Sequence, residues 1–453
     1  MKRLSALTLV VATALVGGAC SRSGSGGTTS STSATSAASA PAGQAAAAGD
    51  FGTLKAVCGP GNATGATDKF ITASSIDVGT MADPGAQASP GLDQVLFDTA
   101  TAFVNWCNAA GGILGRKLVL HLHDAKLFEV PARMLDACSQ DFALVGDGTA
   151  FDNAGVAPRV ACGLPELPAY DNSPEATNAP LVVQATPTPT NQAPDYMFLG
   201  AQHLFPGTTH VGFITANLSP LLVTRSRYKE AATASGMTAV YNETYPVTGV
   251  DNWRPYVQKM KDDGADVVVL TGDAPGLIGM EKTMHDLNWY PKAIVEYANM
   301  YDQRVIKEGG DAIQNTWVFE DYAPFEAAKD NPATQQYLDI MAKFNPSGQV
   351  AALGLNAMSS WLLFATAARD CGSNLTRSCL LTKAGANPAW TGGGLGAPVD
   401  TSFTNRQTSQ CYLAIKALST GFVLDPTFLP PNRGIYNCDA ANVVNLKGDY
   451  TKS

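Results

Sequence analysis

From Ile71 onward, short segments with the pattern of strands alternate with segments that repeat apolar residues at helical spacing. Residues 71–78 are a strand candidate, and residues 92–109 place apolar side chains three and four positions apart, which predicts a helix. Gly111 and Gly112 then end that helix, as a helix C-terminus commonly requires. Strands that alternate with helices predict mainly parallel sheets flanked by helices, so the fold class is α/β.

The alternation continues in two series. The further predicted strands are 117–122, 142–145, 210–215, 240–245, 266–270 and 293–297, and the further predicted helices are 131–140, 222–235, 253–263, 277–287, 334–344 and 355–371. A proline-containing stretch, 185–191, separates the two series and favours an extended crossing. A second extended stretch ends in Pro324, so we expect the chain to cross between two lobes more than once.

Several crossings between two lobes form a hinge. We therefore expect a ligand site in the cleft between the two α/β lobes. Residues 1–19 are expected to form a signal peptide, and 20–49 a lipid-anchored flexible tether. Lobe 1 is expected to comprise 50–185 and 321–405, and lobe 2 residues 186–320. Residues 406–453 are expected to add C-terminal strands, mainly to lobe 2.

The N-terminus has the pattern of an export signal. Lys2 and Arg3 precede an apolar run, residues 4–16, and small residues then lead to Cys20. A cysteine at that point is typical of a bacterial lipoprotein signal, although Gly17 departs from the pattern. The alternative is an ordinary secretory signal with a chance cysteine. Residues 21–49 are almost wholly Ser, Gly, Thr and Ala, which cannot bury a core.

The composition excludes some classes of partner. The formal net charge is -9, and removing Lys2 and Arg3 with the signal makes it about -11. An acidic body without a basic run argues against nucleic acid as a partner. After Val16 no apolar run approaches the roughly 20 residues of a membrane helix.

Cysteine usage predicts four disulfides. Nine cysteines are present, and setting Cys20 aside leaves eight in an exported chain. Two pairs bracket short local stretches, and a third joins cysteines late in two helices that flank one strand. The fourth pair follows by elimination. The expected pairs are Cys371–Cys379, Cys411–Cys438, Cys107–Cys138 and Cys58–Cys162.

Two segments carry a family resemblance. Residues 103–117, FVNWCNAAGGILGRK, followed by a strand and Asp124, resemble the first helix, glycine turn and second strand of type I periplasmic solute-binding proteins. These are the branched-chain amino-acid substrate-binding lipoproteins of ABC transporters, and the chain is most similar to their actinobacterial branch. Residues 251–261 and 264–269 are similar to a helix and strand of the family's second lobe. The resemblance implies the two-lobed periplasmic-binding-protein type I fold.

The resemblance also implies a ligand loop. In the family, a loop after a first-lobe strand offers backbone N–H groups and a hydroxyl to a ligand carboxylate; the matching loop here is 146–152. Asp147 and Asp152 depart from the small uncharged residues common there, and they would repel a carboxylate. Alternatively, Asp152 caps the next helix.

The ligand residues follow from where strand ends meet the expected cleft. They are Met81, Asp147, Gly148, Thr149, Ala150, Phe151, Glu166 and Tyr170 from lobe 1, and Ser219, Gly272, Asp273, Asn299 and Tyr301 from lobe 2. The acidic members favour an amine, amide or polyol over a simple anion. Alternatively, the acids cap helices and the aromatic residues fill cores.

No catalytic set, cofactor or metal site is predicted. His121 and His123 share one face of a strand beside Asp124, but the alternation of a half-buried strand explains them better than a metal pair. We find no assembled nucleophile and base, so the chain is not expected to be an enzyme.

The leading hypothesis is an extracytoplasmic protein, lipid-anchored to the plasma membrane at Cys20 and monomeric. It binds a small polar solute, which is amino-acid-like, an amide or a polyol, and delivers it to an ABC permease. A receptor subunit that senses ligand without transport is the first alternative, and an envelope hydrolase is the second.

Overall fold

The computed structural model describes residues 48–453. The expected signal peptide, Cys20 and nearly all of the expected tether lie outside the described residues. The observed fold is of the α/β class, as predicted, with mainly parallel sheets flanked by helices.

Fourteen strands and twelve α-helices follow one another in the described part of the chain. The strands are β1 (Ser75–Ala82), β2 (Lys117–Asp124), β3 (Leu144–Val145), β4 (Glu166–Leu167), β5 (Gln192–Pro194), β6 (His210–Ala216), β7 (Thr238–Tyr245), β8 (Val267–Thr271), β9 (Ala293–Glu296), β10 (Thr316–Glu320), β11 (Cys411–Leu418), β12 (Gly421–Leu424), β13 (Asn437–Cys438) and β14 (Val443–Asn445). The helices are α1 (Gln94–Ala110), α2 (Val130–Gln140), α3 (Asn153–Cys162), α4 (Pro174–Thr177), α5 (Tyr196–Leu204), α6 (Ser219–Ala234), α7 (Arg254–Asp262), α8 (Ala274–Asp286), α9 (Gln303–Gly309), α10 (Pro332–Phe344), α11 (Ala352–Cys371) and α12 (Arg377–Ala384).

Two main sheets organise these elements. The first has the order β2-β1-β3-β4, with every pairing parallel. The second has the order β12-β11-β10-β9-β8-β6-β7; its strands β6 to β10 are parallel, and β11 and β12 are antiparallel. We call the parts of the molecule built on these sheets the first lobe and the second lobe.

Helices cover both faces of the first sheet. Ile76 and Val78 of β1 point into a core shared with α1 and α11, whereas Met81 packs on the opposite face with Met134 of α2. This division follows from the two-residue period of a strand. Trp361 of α11 is fully buried, with its ring stacked 5.2 Å from that of Phe103. The chain therefore returns to the first lobe after building the second.

The glycine turn after α1 has a structural role. Gly111 ends α1 at φ 122°, and a Cβ on Gly112 would lie 2.1 Å from the carbonyl oxygen of Arg116. The buried Arg116 guanidinium donates to the carbonyl oxygens of Thr64, Gly65, Thr72 and Gly372 at 2.9–3.1 Å. These bonds fasten the segment before β1 to the end of α11.

Two of the four expected disulfide pairs are wrong. The structure joins Cys58 to Cys107 and Cys138 to Cys162, not Cys58 to Cys162 and Cys107 to Cys138. Helices α1 and α2 lie on opposite faces of the first sheet, so Cys107 and Cys138 face different neighbours. Cys107 meets Cys58 in the core on the α1 side, whereas α2 packs on α3, which ends at Cys162. The pairs Cys371–Cys379 and Cys411–Cys438 are those expected.

Residues 447–453, which we call the strap, contact helices of both lobes. The backbone N–H of Gly448 and the hydroxyl of Tyr450 donate to Glu230 of α6, at 3.1 and 2.8 Å. The backbone N–H and the hydroxyl of Ser453 donate to Glu175 of α4, at 2.8 and 2.9 Å. The strap therefore runs from a second-lobe helix to a first-lobe helix.

Among residues 48–453, no helix combines the length and the apolar character that crossing a membrane would require.

Candidate functional site

A cavity of about 300 Å³ lies between the lobes. Second-lobe residues reach it from the carboxyl ends of the parallel strands, for example Ala216 at the end of β6 and Thr271 at the end of β8. First-lobe residues, including Asp93 and Tyr170, form the facing wall. Ligands of open parallel sheets bind beyond the carboxyl ends of their strands, so the position is that of a ligand site.

Five of the residues predicted from the sequence line the cavity: Ala150, Tyr170, Gly272, Asp273 and Asn299. Eight others lie off its wall: Met81, Asp147, Gly148, Thr149, Phe151, Glu166, Ser219 and Tyr301. Ser219 is the first residue of α6, and its neighbours Leu218 and Leu221 reach the cavity.

In the loop expected to bind a ligand carboxylate, backbone N–H groups already donate hydrogen bonds to other groups of the protein. Asp83, which is fully buried, accepts the backbone N–H of Ala150 at 2.9 Å and that of Leu127 at 2.6 Å. The N–H of Gly148 donates to the carbonyl oxygen of Met81. The ring of Tyr170 packs on Gly148, where a Cβ would lie 2.4 Å from it. These N–H groups are therefore not free to bind a ligand carboxylate.

The other acidic residues near this loop lie behind the wall. Glu166 forms a buried ion pair with Arg159 at 2.9 Å. Burial, together with Glu166, holds the pKa of Asp147 well above its usual range. Asp152 accepts the N–H groups of Asn172 and Ser173, and makes no side-chain capping bond to α3. Phe151 packs on Phe128, with ring centroids 5.5 Å apart.

In the second lobe, two predicted residues support the loops after β8 and β9. Asp273 begins α8 and accepts the N–H of Gly276 at 3.1 Å. Asn299 donates to the carbonyl oxygen of Gly272 at 2.8 Å, which ties the two loops together. Tyr301 is a core residue: it is 1% exposed, and its hydroxyl contacts Glu326 and the N–H of Phe325.

Sequence reasoning missed a row of aromatic rings on the second-lobe wall. Tyr228, Tyr297, Phe319 and Tyr412 all line the cavity, and we call them the aromatic row. Successive ring centroids are 4.7, 5.2 and 5.7 Å apart. The four residues come from α6, from the loop after β9, from β10 and from antiparallel β11, so no local sequence pattern unites them.

Carboxyl groups outnumber basic groups at the wall. Five carboxyl groups line the cavity, those of Asp93, Asp171, Asp273, Glu320 and Asp321. Burial raises the pKa of Asp93 to about 7, although a hydrogen bond from Tyr170 opposes the shift. Burial, reinforced by Asp321, raises the pKa of Glu320 well above its usual range. Among the described lining residues, Arg227 is the one with a basic side chain.

Several polar atoms at this wall are buried without a hydrogen-bond partner in the protein. They are Arg227 Nε, Tyr245 Oη, Thr271 Oγ1, Tyr297 Oη, Glu320 Oε1, Asn356 Oδ1 and Thr408 Oγ1. Unpartnered buried polar groups are costly, and they are uncommon in native proteins. Their concentration around one cavity indicates that the wall is built to bind a polar molecule.

The histidine pair of β2 contacts a carboxylate. His121 Nδ1 and His123 Nε2 lie 2.6 and 2.7 Å from the two oxygens of Asp141, which is fully buried. Within residues 48–453, no group of three or more His, Cys, Asp or Glu side chains is arranged to hold a metal ion.

A family model described as periplasmic binding protein matches residues 14–421 of the chain. No curated protein matches this chain by sequence. Similar solved structures include a fatty acid ABC transporter substrate-binding protein from Thermomonospora curvata, which is 15% identical. That similarity covers 85% of this chain and 95% of the other, with a TM-score of 0.69.

Two further structures share the fold. A substrate-binding periplasmic protein from Ralstonia solanacearum is 17% identical over 78% of this chain and 100% of its own, with a TM-score of 0.67. A branched-chain amino acid transporter substrate binding protein from Streptococcus pneumoniae, solved with isoleucine, is 15% identical over the same shares, with a TM-score of 0.62.

Proposed function

Because the chain belongs to the periplasmic binding protein family, we propose that it is an extracytoplasmic lipoprotein that binds a small polar solute between its two lobes and delivers it to an ABC importer. The members of this family are solute-binding proteins and not enzymes. We assign the lipid anchor to Cys20, the tether to 20–49, and the lobe boundaries to the ranges given above.

The observation that carries the proposal is the set of unpartnered polar atoms around the interlobe cavity. A bound solute would satisfy atoms from both lobes at once, for example Thr271 Oγ1 from the second and Asn356 Oδ1 from the first. Such a ligand binds the closed arrangement more tightly than an open one, and it shifts the population toward closure by that difference in affinity. A permease then has two distinct states of the protein to recognise.

A thermal-shift screen of amines, amides and polyols tests solute binding. A solute at 100 times its dissociation constant should stabilise the protein by about 2.7 kcal/mol. Native mass spectrometry of protein extracted from its own envelope should detect a bound small molecule. The proposal fails if no solute stabilises the protein and no copurified molecule is found.

A pair of capping variants separates binding from folding. Asp273→Asn keeps a residue that can cap α8 but removes a charge from the cavity wall, so the solute-induced shift should fall. Asp302→Asn is the matched control, because Asp302 caps α9 and does not line this cavity. Equal effects of both variants would indicate a general change in stability.

Removal of the lipidated residue tests the anchor. Cys20→Ala should block lipid attachment and move the protein from the detergent phase to the aqueous phase. We expect more than one acyl chain, because stable anchoring generally needs two membrane signals. Unchanged detergent partitioning of the variant would refute the anchor.

A further inference from the structure

On the first-lobe side, a carboxyl group of the protein already accepts backbone N–H groups that a ligand carboxylate would need. Asp83 accepts two backbone N–H groups, that of Ala150 in the loop 146–152 and that of Leu127 outside it, at 2.9 and 2.6 Å. Two further carboxyl groups of this lobe, Asp93 and Asp171, line the cavity itself. An anionic ligand would therefore meet carboxyl groups and few free donors on this side.

The second-lobe wall offers the features that attract an organic cation. The four rings of the aromatic row line the cavity, and each ring contacts the next. Aromatic faces attract ammonium groups, and the attraction grows when the cation is shielded from water. The same rings supply apolar contact for the rest of the ligand.

A carboxyl pair lines the same cavity. Glu320 and Asp321 follow Phe319 directly in the chain, and both line the cavity. Glu320 is 3% exposed, and its Oε1 atom has no hydrogen-bond partner. A buried carboxyl group without a partner, at the wall of a cavity, lacks a donor that a ligand can provide.

The basic side chain at the wall is engaged elsewhere. Nη2 of Arg227 donates to the carbonyl oxygen of Pro189 at 2.8 Å and to that of Gln192. Of its nitrogens, Nε is buried without a partner. The wall therefore has one guanidinium group and five carboxyl groups.

We propose that the cavity binds an organic cation, an amine whose ammonium group lies at Glu320 and whose carbon skeleton packs on the aromatic row. This assignment rests on the proposed solute-binding function and narrows it to one class of ligand. Glu320 is the specificity-determining residue, because its unpartnered Oε1 atom accepts a hydrogen bond from the ammonium group.

Three probes share a six-carbon chain and differ in their head group: hexylamine, hexan-1-ol and hexanoate. They test which head group the cavity prefers. Their affinities for the wild-type protein are measured by isothermal titration calorimetry at neutral pH. Hexylamine should bind roughly tenfold or more tightly than either other probe, since a hydrogen bond to a charged group is worth about that factor. Tighter binding of hexanoate would overturn the proposal and assign the head-group site to Arg227.

Glu320→Gln then tests the residue, because it preserves shape and replaces a carboxyl group, which can become the anionic partner of an ammonium group, by an amide that cannot. It should abolish the preference for hexylamine over hexan-1-ol and leave the affinity for hexan-1-ol within about twofold. Glu281→Gln is the matched control: Glu281 is fully buried in the same lobe but does not line the cavity. A preference that survives Glu320→Gln, or that disappears equally in the control, would overturn the role of Glu320.

The remaining outcomes separate this inference from the proposed function. Equal affinities of hexylamine and hexan-1-ol would overturn the ammonium assignment. If all three probes fail while the solute screen finds another ligand, the cation proposal is wrong and solute binding stands. If the screen also finds nothing, the proposed function itself is wrong.

Discussion

Tyr297 carries a buried hydroxyl that has no hydrogen-bond partner, at the wall of the cavity. A hydroxyl in that position does not stabilise the unliganded fold, because its loss of hydration is not offset by a hydrogen bond. Tyr297→Phe should therefore leave the free energy of unfolding of the unliganded protein unchanged or raise it by about 1 kcal/mol. It should weaken binding of the solute found by screening by about five- to tenfold, measured by calorimetry.

Tyr290→Phe is the control for Tyr297→Phe, since the hydroxyl of Tyr290 donates to the carbonyl oxygen of Ala312 at 2.8 Å, off the cavity wall. Its loss should cost about 1 kcal/mol of stability and leave solute affinity unchanged. If Tyr297→Phe instead destabilises the unliganded protein and spares affinity, the hydroxyl belongs to the fold and not to the site.

Asp93 should make stability fall as the pH rises. Burial raises its pKa to about 7 in the folded protein, whereas an unfolded chain has a value of about 3.9. Between those values the folded state holds a proton that the unfolded state has lost. This group alone therefore lowers the free energy of unfolding by up to about 1.4 kcal/mol per pH unit, and the effect levels off above about pH 7.

Asp93→Asn isolates that contribution. Asparagine tolerates the left-handed backbone of this position, φ 56°, and its side-chain oxygen still accepts the hydrogen bond from Tyr170. Relative to the wild type, the variant should gain stability from pH 4 to pH 7 and show a constant difference above that, in chemical denaturation at a series of pH values. Parallel pH profiles of the two proteins would contradict the assignment.

At the scale of elements, the sequence pattern predicted the helices and strands that are determined by interactions between residues close in the chain. The end of α1 at Gly111 and the strands β2 and β6 through β9 were predicted because apolar spacing and glycine act within a few residues. The short helices α3, α4 and α5 were missed because tertiary packing, and not a periodic apolar face, holds them.

The same limit applies to the site. Gly272, Asp273 and Asn299 were predicted because they follow parallel strands, whose carboxyl ends meet at one edge of a sheet. Tyr412 was missed because it lies on an antiparallel strand, and Tyr228 because it lies inside a helix. Gly148 and Thr149 were expected to face a ligand, but Asp83 and Tyr170 take up the contacts of their loop.

Which cysteines pair depends on the face of the sheet that each helix covers. The sequence does not show which face that is. Non-reducing peptide mapping should recover one peptide pair containing Cys58 and Cys107 and another containing Cys138 and Cys162. Replacing Cys138 and Cys162 together by serine should cost about 2–4 kcal/mol of stability, because the unfolded chain regains the freedom of the loop between them. Peptides that join Cys107 to Cys138 would contradict the structure.

At the scale of the whole molecule, the strap is a connection between the lobes beyond the hinge crossings. It lies outside the residues matched by the family model, which end at 421. One end is held by Glu230 of α6, the helix that also places Arg227 at the cavity, and the other by Glu175 of α4. Opening of the cleft by separation of these helices therefore has to break the bonds at one end.

Removal of residues 451–453 should accelerate solute dissociation severalfold, because it releases Glu175 while Tyr450 and Gly448 stay on Glu230. The loss of stability should be small, about 1 kcal/mol or less, since the broken hydrogen bonds are exposed. Stopped-flow measurement of the dissociation rate tests this, and removal of 447–453 is the comparison. If the strap acts by joining the lobes, both truncations give the same rate, because breaking either end is enough. A rate that changes only in the longer truncation would show that the strap supports α6 alone and does not restrain opening.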